Sequence, residues 1–365
     1  MTKQLFLLGT GFIGGSLLKE LLAKRPDISI TALNRSDDKA AQLQALGVKP
    51  LKGELDDEEL IAEAASKADL RLVMIQSTDI IIHAATADHL PSARAIVKGI
   101  KRRSSKSGKV VYIHNSGAAV IAQKEDSAGV PRFSDLDAER IDKDTPDTAY
   151  HRDVDLHIRK ELANEESEQE HNARVAILMP PIIYGVGTGP FNKASITVPA
   201  LCRATVTQGT GISVGNGENT IDAVHVQDLV DAYLVILAEM EKTEPGHAGG
   251  PYWFAETEHY QAISLTQRIS TVFQRHGKSD GKVTMAAPTD HNLIINAFSG
   301  LFPPGLADAD QETKARAANF LYVAFASTAQ SSADRLRKLG WGPRPGRLSI
   351  LESVENVEIP EFLKD

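Results

Sequence analysis

Residues 5–15, LFLLGTGFIGG, are the stretch of this sequence that decides its fold. They open with a short apolar run, residues 5–8, which continues directly into a glycine pattern of the form G-x-G-x-x-G. An amphipathic run over residues 16–23 follows at once. This order predicts a β-strand, a tight glycine turn and an α-helix, the context in which the pattern indicates a dinucleotide site.

Each of the three glycines in the pattern is needed for a separate physical reason. Gly9 allows the tight turn, Gly11 lets the backbone approach a pyrophosphate because it has no Cβ, and Gly14 lets helix and strand pack closely. Free N–H groups and the positive end of the helix dipole then face the phosphates. The cofactor-binding residues predicted in this turn are Gly9, Thr10, Gly11, Phe12, Ile13 and Gly14. A glycine-rich turn without a ligand is the alternative interpretation.

The composition excludes several classes of protein. Of 365 residues, 42% are hydrophobic and 24% are charged, as in ordinary globular proteins. A formal net charge of −8 argues against nucleic acid or an anionic membrane as the main partner. Cys202 is the single cysteine, and we see neither a signal-peptide pattern nor an apolar run long enough to span a membrane. We therefore expect a cytoplasmic protein, and no metal site, since no cluster has metal-ligand spacing.

Strands and helices alternate along the first half of the chain. Further strands are predicted at residues 28–33, 48–51, 80–84, 109–114 and 174–179. For the fourth strand, residues 80–84 are preferred over a competing apolar run at 70–75, because small residues follow them. The alternation predicts an α/β protein with a Rossmann-type doubly wound parallel sheet.

Small and polar residues follow these strands at the edge where ligands of such sheets bind, the carboxyl ends of the strands. The fourth strand runs into the cofactor candidates Ala84, Ala85 and Thr86, and the fifth runs into Ser116. The glycine turn falls on the same edge, so separate parts of the sequence agree on one site.

The residues after the second strand indicate which cofactor is bound. An acidic residue here would bind the adenine ribose hydroxyls and repel a 2′-phosphate. This chain has Asn34 and Arg35 instead, and a guanidinium matches a phosphate in charge and geometry. We predict NADP, with NAD as the alternative. In the other interpretation, Arg35 only begins a solvated helix.

The rest of the chain is less regular. Residues 122–147 are predicted as an irregular surface loop, and residues 150–171 as a long, highly charged helix. Further helices are predicted at 194–207, 229–239 and 265–276, with a short strand at 252–254. Residues 292–311 look like a lid or clamp.

Several stretches together resemble the extended and atypical short-chain dehydrogenase/reductase superfamily, in its NAD-dependent epimerase/dehydratase branch. They follow the family's order and spacing over essentially the whole chain, and the chain looks most like the fungal-type nucleoside-diphosphate-sugar-epimerase-like proteins. The matching stretches are residues 9–14, residues 53–57 (GELDD), residues 79–85 (DIIIHAA), residues 180–185 (PPIIYG), residues 224–229 (VHVQDL) and residues 339–343 (LGWGP).

The resemblance implies a division into two domains. Residues 1–180, with 215–245 returning to them, would form the Rossmann domain, and residues 181–214 and 246–365 a smaller C-terminal α/β substrate-binding domain. It also implies cofactor contacts from Leu55, Pro180, Ile182 and Ile183, and substrate contacts from Tyr184, Asn192 and His225. The histidine at the position of His225 is mainly architectural in the family.

The chain departs from the family where catalysis is expected. The family uses a Ser or Thr after the fifth strand and a Tyr-x-x-x-Lys pair on the next helix. Here Tyr150 is followed four positions later by Val154, whereas His151 is followed by Asp155. In one interpretation His151 replaces the tyrosine as general acid/base, Asp155 orients its ring, Ser116 binds the substrate oxygen, and Tyr150 points into the cleft. In the other, His151 and Asp155 form a surface pair on one helix face.

Two functions follow from these observations. The first is an oxidoreductase that transfers hydride between NADP(H) and a small carbonyl, alcohol or sugar-nucleotide substrate. The second is a non-catalytic NADP(H)-binding sensor that has lost the Tyr-x-x-x-Lys pair. Either would bind small molecules, as a monomer or a homodimer.

Overall fold

A computed structural model describes residues 2–66, 79–103, 108–123, 130–163, 170–242, 250–303 and 305–364. The competing apolar run at 70–75 lies outside these ranges. No helix in the described ranges has the length and apolar character needed to cross a membrane.

A seven-stranded sheet forms the centre of the molecule, in the order β11-β7-β5-β4-β1-β2-β3. Every neighbouring pair in it is parallel. Its strands are β1 (Lys3–Leu8), β2 (Ile28–Asn34), β3 (Lys49–Lys52), β4 (Asp79–His83), β5 (Val110–Asn115), β7 (Ala173–Met179) and β11 (Tyr252–Phe254). The predicted Rossmann-type parallel sheet is therefore confirmed, with β4 as its middle strand and β1 paired between β4 and β2.

The helices fall into two groups, those that cover the faces of this sheet and those that build a second, smaller core. In the described ranges they are α1 (Phe12–Lys24), α2 (Asp37–Ala45), α3 (Glu58–Ser66), α4 (Leu90–Lys101), α5 (Ala138–Asp144), α6 (Arg152–Leu162), α7 (Thr197–Gln208), α8 (Val226–Glu241), α9 (Ala262–Arg275), α10 (His291–Ala297), α11 (Gln311–Ala326), α12 (Asp334–Lys338), α13 (Ile350–Ser353) and α14 (Ile359–Phe362). Helix α1 packs against α8, while α4 packs against α3 and α6. The inner strands are buried, as expected of a parallel sheet, whereas the edge strand β3 is partly exposed.

A second, smaller core lies beside the first. It is built on a three-stranded sheet of β12 (Glu258–Gln261), β10 (Thr220–His225) and β8 (Ile182–Tyr184), and on the parallel pair β9 (Gly211–Val214) and β13 (Val283–Ala286). Helices α7, α9 and α11 contribute apolar side chains to it, among them Leu201, Phe273 and Phe325.

The C-terminal part of the chain contributes to both cores. The strand at 252–254, which we assigned to the second domain, pairs with β7 at the edge of the main sheet. Leu336 and Trp341 are buried in the first core as well, and β14 (Ser331–Ser332) pairs with β6 (Phe133–Ser134). The domain boundaries elsewhere remain a prediction.

Two local expectations were wrong. Residues 122–147, expected to be irregular, contain β6 and α5, because β6 pairs with a strand about 200 positions away that no local pattern reveals. The helix expected from residue 150 begins at Arg152, because His151 has a φ of +68° and cannot continue it. Residues 164–169 of that expected helix lie outside the described ranges.

Candidate functional site

The turn between β1 and α1 is closely packed at two glycines and open at the third. A Cβ on Gly9 would lie 2.5 Å from the backbone of Ala85, and Gly9 has a φ of +94°. A Cβ on Gly14 would lie 1.9 Å from the carbonyl oxygen of Gly9. A Cβ on Gly11, in contrast, would meet no described atom within 4 Å. The turn is therefore tightly packed at Gly9 and Gly14, and open space remains next to Gly11.

The amino terminus of α1 has hydrogen-bond donors to offer. Gly11 is its N-cap residue, and no described side chain caps the helix there. The first N–H groups of a helix have no partner within the helix, and together with the helix dipole they attract anions. Thr10 is buried, whereas Phe12 and Ile13 are half-buried. These residues fit a dinucleotide diphosphate.

The end of β2 offers polar groups at the predicted position of the adenine ribose. The side chain of Asn34 is buried, and its Nδ2 donates to the carbonyl oxygen of Leu51 at 3.4 Å. Its Oδ1 is buried with no hydrogen-bond partner among the described residues. Arg35 is exposed and forms no ion pair within the described ranges, and Leu55 is half-buried against the core.

The other predicted cofactor residues surround the same edge of the sheet. Ala84, Ala85 and Thr86 form the half-buried turn after β4, where the Thr86 hydroxyl accepts from the N–H of Asp88. The carbonyl oxygen of Pro180 accepts from the N–H of Ala118 at 2.9 Å, which joins the ends of β7 and β5. Ile182 and Ile183 are half-buried in β8.

His151 pairs with Asp88, not with Asp155. Its Nδ1 lies 2.5 Å from Oδ1 of Asp88, in the loop after β4. Its Nε2 lies over Gly117, where an added Cβ would be 2.8 Å away. The predicted pairing of His151 with Asp155 is therefore wrong, because His151 precedes the helix in a left-handed conformation, whereas the role of His151 as general acid/base remains a prediction.

Asp155 is instead buried beneath Ser116. The Ser116 hydroxyl donates to Oδ2 of Asp155 at 2.7 Å, and the side chain of Asp155 is 0% exposed. Burial raises the pKa of Asp155 to about 7, although the Ser116 hydrogen bond and the nearby charges of His151 and Arg152 oppose the change. Ser116 and His151 lie on adjoining sides of Gly117, so two of the predicted catalytic residues do converge.

Tyr150 packs against a helix of the second core. Its ring meets Phe320 of α11 edge to face, with centroids 5.6 Å apart. Burial raises the pKa of Tyr150, which disfavours a phenolate. Val154, at the position of the family's lysine, is fully buried in the first core.

The three predicted substrate residues are engaged with backbone. The Tyr184 hydroxyl donates to the carbonyl oxygen of Leu348 at 2.8 Å. Nδ1 of His225 accepts from the N–H of Gln227 and caps α8, and burial lowers the pKa of His225 to about 3. Asn192 is exposed and closes a turn onto Ala194. Contact between these residues and a substrate remains a prediction.

Sequence reasoning missed Asp88 and Phe320. Asp88 follows the small residues at the end of β4, and that position on the ligand-binding edge was the signal that could have identified it. Phe320 gave no signal, because its contact with Tyr150 depends on how the second core packs. No group of three or more His, Cys, Asp or Glu side chains in the described ranges could hold a metal ion.

Comparisons with known proteins agree with this architecture. The model of the NAD dependent epimerase/dehydratase family matches residues 8–249. A protein named Oxidase ucsJ, from an Acremonium species, is 29% identical over 278 residues, which cover 71% of this chain and 76% of that protein.

Solved structures with the same fold cover nearly the whole chain. A UDP-glucose 4-epimerase from Thermotoga maritima, solved with UDP-glucose, has a TM-score of 0.61 and 15% identity, and covers 99% of this chain and 100% of its own. A dTDP-glucose 4,6-dehydratase from Bacillus anthracis, solved with NAD, has a TM-score of 0.60 and 13% identity. The match covers 100% of this chain and 97% of that protein's chain. Identities this low show a shared fold only.

Proposed function

The chain belongs to the NAD dependent epimerase/dehydratase family, and from that premise we propose that it is an NADP(H)-dependent oxidoreductase acting on a small carbonyl or alcohol, with a sugar nucleotide as a further possible substrate. The observation that carries this proposal is the His151–Asp88 pair beside Ser116, at the edge of the sheet that holds the glycine turn. The name of the relative Oxidase ucsJ supports the same class of chemistry.

The cofactor would be held by the residues of the ligand-binding edge. The uncapped N–H groups at the start of α1 would bind the diphosphate, and the open space over Gly11 would admit it. The unpartnered Oδ1 of Asn34 would accept a hydrogen bond from the adenosine end. When bound, the nicotinamide supplies or accepts the hydride.

The chain itself must move the proton that accompanies the hydride. Asp88 accepts the N–H at Nδ1 of His151, so Nε2 carries the lone pair in the neutral ring and can take a proton from a substrate alcohol. In the reverse direction, the protonated Nε2 donates to the carbonyl oxygen. An imidazole can act as a general acid/base without a neighbouring lysine to activate it. Ser116 would orient the same substrate oxygen.

The preference for NADP over NAD rests on Arg35. Its guanidinium is exposed at the end of β2 and forms no ion pair within the described ranges, so it is available for the 2′-phosphate. The family and the neighbours solved with NAD support the coarser class of nicotinamide cofactor.

The second candidate function is a non-catalytic NADP(H) sensor. The buried Val154 at the lysine position favours it, because this position cannot bind a nicotinamide ribose by charge. In both functions we propose a cytoplasmic protein that binds small molecules, as a monomer or homodimer, through a cleft between the Rossmann and C-terminal domains.

Two measurements test these functions. Titration with NADPH and NADH should give tighter binding of NADPH, and Arg35→Ala should weaken NADPH binding about 10-fold while leaving NADH binding as it was. A carbonyl panel followed by NADPH oxidation should give turnover that His151→Ala abolishes. Binding without turnover on a broad panel would favour the sensor, and absence of binding to both dinucleotides would exclude both functions.

A further inference from the structure

A line of buried polar side chains runs from Ser116 into the interior. Beyond Asp155, Nε2 of His114 lies 3.8 Å from Oδ1 of Asp155, and Nδ1 of His114 lies 3.2 Å from Nδ1 of His83. Nε2 of His83 is 3.2 Å from the hydroxyl of Ser92. All five side chains are buried, with at most 3% exposure. The line therefore joins β4, β5, α4 and α6 beneath the candidate site.

The hydrogen bond that Ser92 donates determines which nitrogen of each histidine in this line carries the hydrogen. The Ser92 hydroxyl donates its single hydrogen to the carbonyl oxygen of His89 at 2.9 Å, so toward His83 it can only accept. Burial lowers the pKa of His83 to about 3, so its ring is neutral and Nε2 must carry the hydrogen. Its Nδ1 then carries the lone pair.

The same reasoning fixes the hydrogen on His114, the residue next to Asp155. Nδ1 of His114 must donate to the lone pair on Nδ1 of His83. Burial, and next the neighbouring His83, hold the pKa of His114 well below its ordinary value, so this ring is also neutral and its Nε2 bears a lone pair. That lone pair faces Oδ1 of Asp155, and neither atom has a hydrogen-bond partner in the described ranges. At 3.8 Å the two atoms are beyond hydrogen-bond distance, but a lone pair at Nε2 gives an ionised Oδ1 no donor and repels its charge, which favours the neutral acid.

We propose that Ser92, His83 and His114 are positioning residues that hold Asp155 as a neutral carboxylic acid, and that this leaves the hydroxyl of Ser116 available to the substrate oxygen. The inference rests on the proposed function for its catalytic consequence. The protonation of Asp155 itself needs no substrate, because it depends only on the burial of the carboxyl and on which nitrogen of His114 carries the hydrogen.

The neutral form matters because of what an anion would do at this position. A buried carboxylate 2.7 Å from the Ser116 oxygen would hold the serine hydrogen in a charge-assisted bond. It would also repel the negative charge that develops on a carbonyl oxygen during reduction, in surroundings that screen charge poorly. A neutral acid removes both effects, so Ser116 can turn and donate to the substrate.

Other groups also face Asp155. His151 and Arg152 at the start of α6 favour its anion, while Asp88 opposes it. Tyr112, on the same strand as His114, has a buried hydroxyl without a described hydrogen-bond partner, and burial raises its pKa, as would the charge of an ionised Asp155. Tyr112 is the one alternative donor to Oδ1 that these residues offer, so it provides the control variant.

The first test needs neither cofactor nor substrate, so its failure is distinct from failure of the proposed function. Long-range ¹⁵N–¹H NMR correlations of the resting protein should show hydrogen on Nδ1 of His114 and on Nε2 of His83. Infrared spectra just below neutral pH should show the carbonyl stretch of a protonated acid that Asp155→Asn removes. Hydrogen on Nε2 of His114, together with an ionised Asp155, would overturn the proposal.

The second test changes the tautomers of the two histidines by removing the hydroxyl of Ser92, which lies at the end of the line away from Ser116. Ser92→Ala removes the hydroxyl that determines these tautomers, which lets Nε2 of His114 donate to an ionised Asp155. The NMR signals should show this change of tautomer. The loss of NADPH-dependent reduction at alkaline pH should begin about one pH unit lower than in the wild type, because a hydrogen bond to a charged group stabilises the anion.

Two further variants complete this second test. In Tyr112→Phe the alkaline decline should stay at its wild-type pH. In Asp155→Asn, the addition of Ser92→Ala should no longer shift the decline, because the amide cannot ionise yet can still accept from Ser116. An alkaline decline that Ser92→Ala leaves in place would contradict the role of the line, even in an active enzyme.

Discussion

Nδ1 of His151 lies 2.5 Å from Oδ1 of Asp88, a carboxylate 63 positions earlier in the chain. The contact joins the loop after β4 to the residue before α6, and it orients the imidazole with Nε2 over Gly117. The hydrogen bond from His151 and its charge hold the pKa of Asp88 below its ordinary value, although burial opposes this change. Asp88 therefore remains a carboxylate that fixes the ring.

Asp88→Asn tests this pairing. The amide keeps the size of the side chain but removes the charge that stabilises a protonated His151. We expect turnover to fall about 10-fold to 100-fold, and His151→Gln to cause a larger loss, about 10²-fold to 10⁴-fold. Turnover is measured by NADPH oxidation, with NADPH affinity as the control. Full activity in Asp88→Asn would show that the carboxylate has no part in the chemistry.

Gly117→Ala tests the position of the imidazole. A Cβ at this position would be 2.8 Å from Nε2 and 3.0 Å from Cδ2 of His151, so the ring must move. We expect turnover to fall about 10-fold or more, because proton transfer requires close alignment. The matched control is Gly342→Ala, whose new methyl group meets no described atom within 4 Å. Equal turnover in the two variants would contradict the proposed place of His151.

Gly11→Ala tests the diphosphate seat. The methyl group meets no described protein atom within 4 Å, so the free energy of unfolding should fall by no more than about 1 kcal/mol, the cost of alanine in place of glycine at the N-cap. It would nevertheless occupy the space over the turn, and we expect NADPH affinity to fall about 10-fold or more. Calorimetric titration and urea unfolding measure the two effects. Unchanged affinity would place the dinucleotide elsewhere.

Glu358→Gln tests a buried acid beside the second core. Burial raises the pKa of Glu358 from 4.5 to about 7, although hydrogen bonds from Gly185 and Ser353 oppose the change. The native state therefore keeps a proton that the unfolded chain releases, and wild-type stability falls as pH rises from 4.5 to about 7.

The variant lacks this linkage. Between about pH 4.5 and about pH 8, the free energy of unfolding of Glu358→Gln should rise relative to that of the wild type by up to roughly 3 kcal/mol. Urea unfolding at both pH values measures the gain. Glu312→Gln, which removes an exposed carboxylate of α11, is the control. A gain of equal size in both variants would show that burial of Glu358 is not the cause.

The Rossmann half of the fold could be predicted because its signals are local. The apolar run before Gly9 and the amphipathic run after Gly14 identified β1 and α1, and the small residues after His83 identified β4 correctly. Each signal depends on neighbours in sequence, and a parallel sheet repeats the same unit several times.

The site could be predicted only in part, because its key contacts are not local. The position of Ser116 followed from strand order, but its bond to Asp155 depends on how α6 packs against β5. The left-handed backbone of His151 had no marker, since histidine at positive φ is uncommon. The pairing of β6 with β14 likewise joins segments that local periodicity cannot connect.

The return of residues 331–341 to the first core has a consequence for biosynthesis. Trp341 is buried there, and the guanidinium of Arg335 stacks 4.0 Å above the ring of Trp253 and donates to the carbonyl oxygen of Tyr252. A nascent Rossmann sheet therefore lacks part of its interior until the ribosome has made residues 331–341. Strands β1 to β7 emerge before these residues, so the interior that they complete stays open to water during that part of translation.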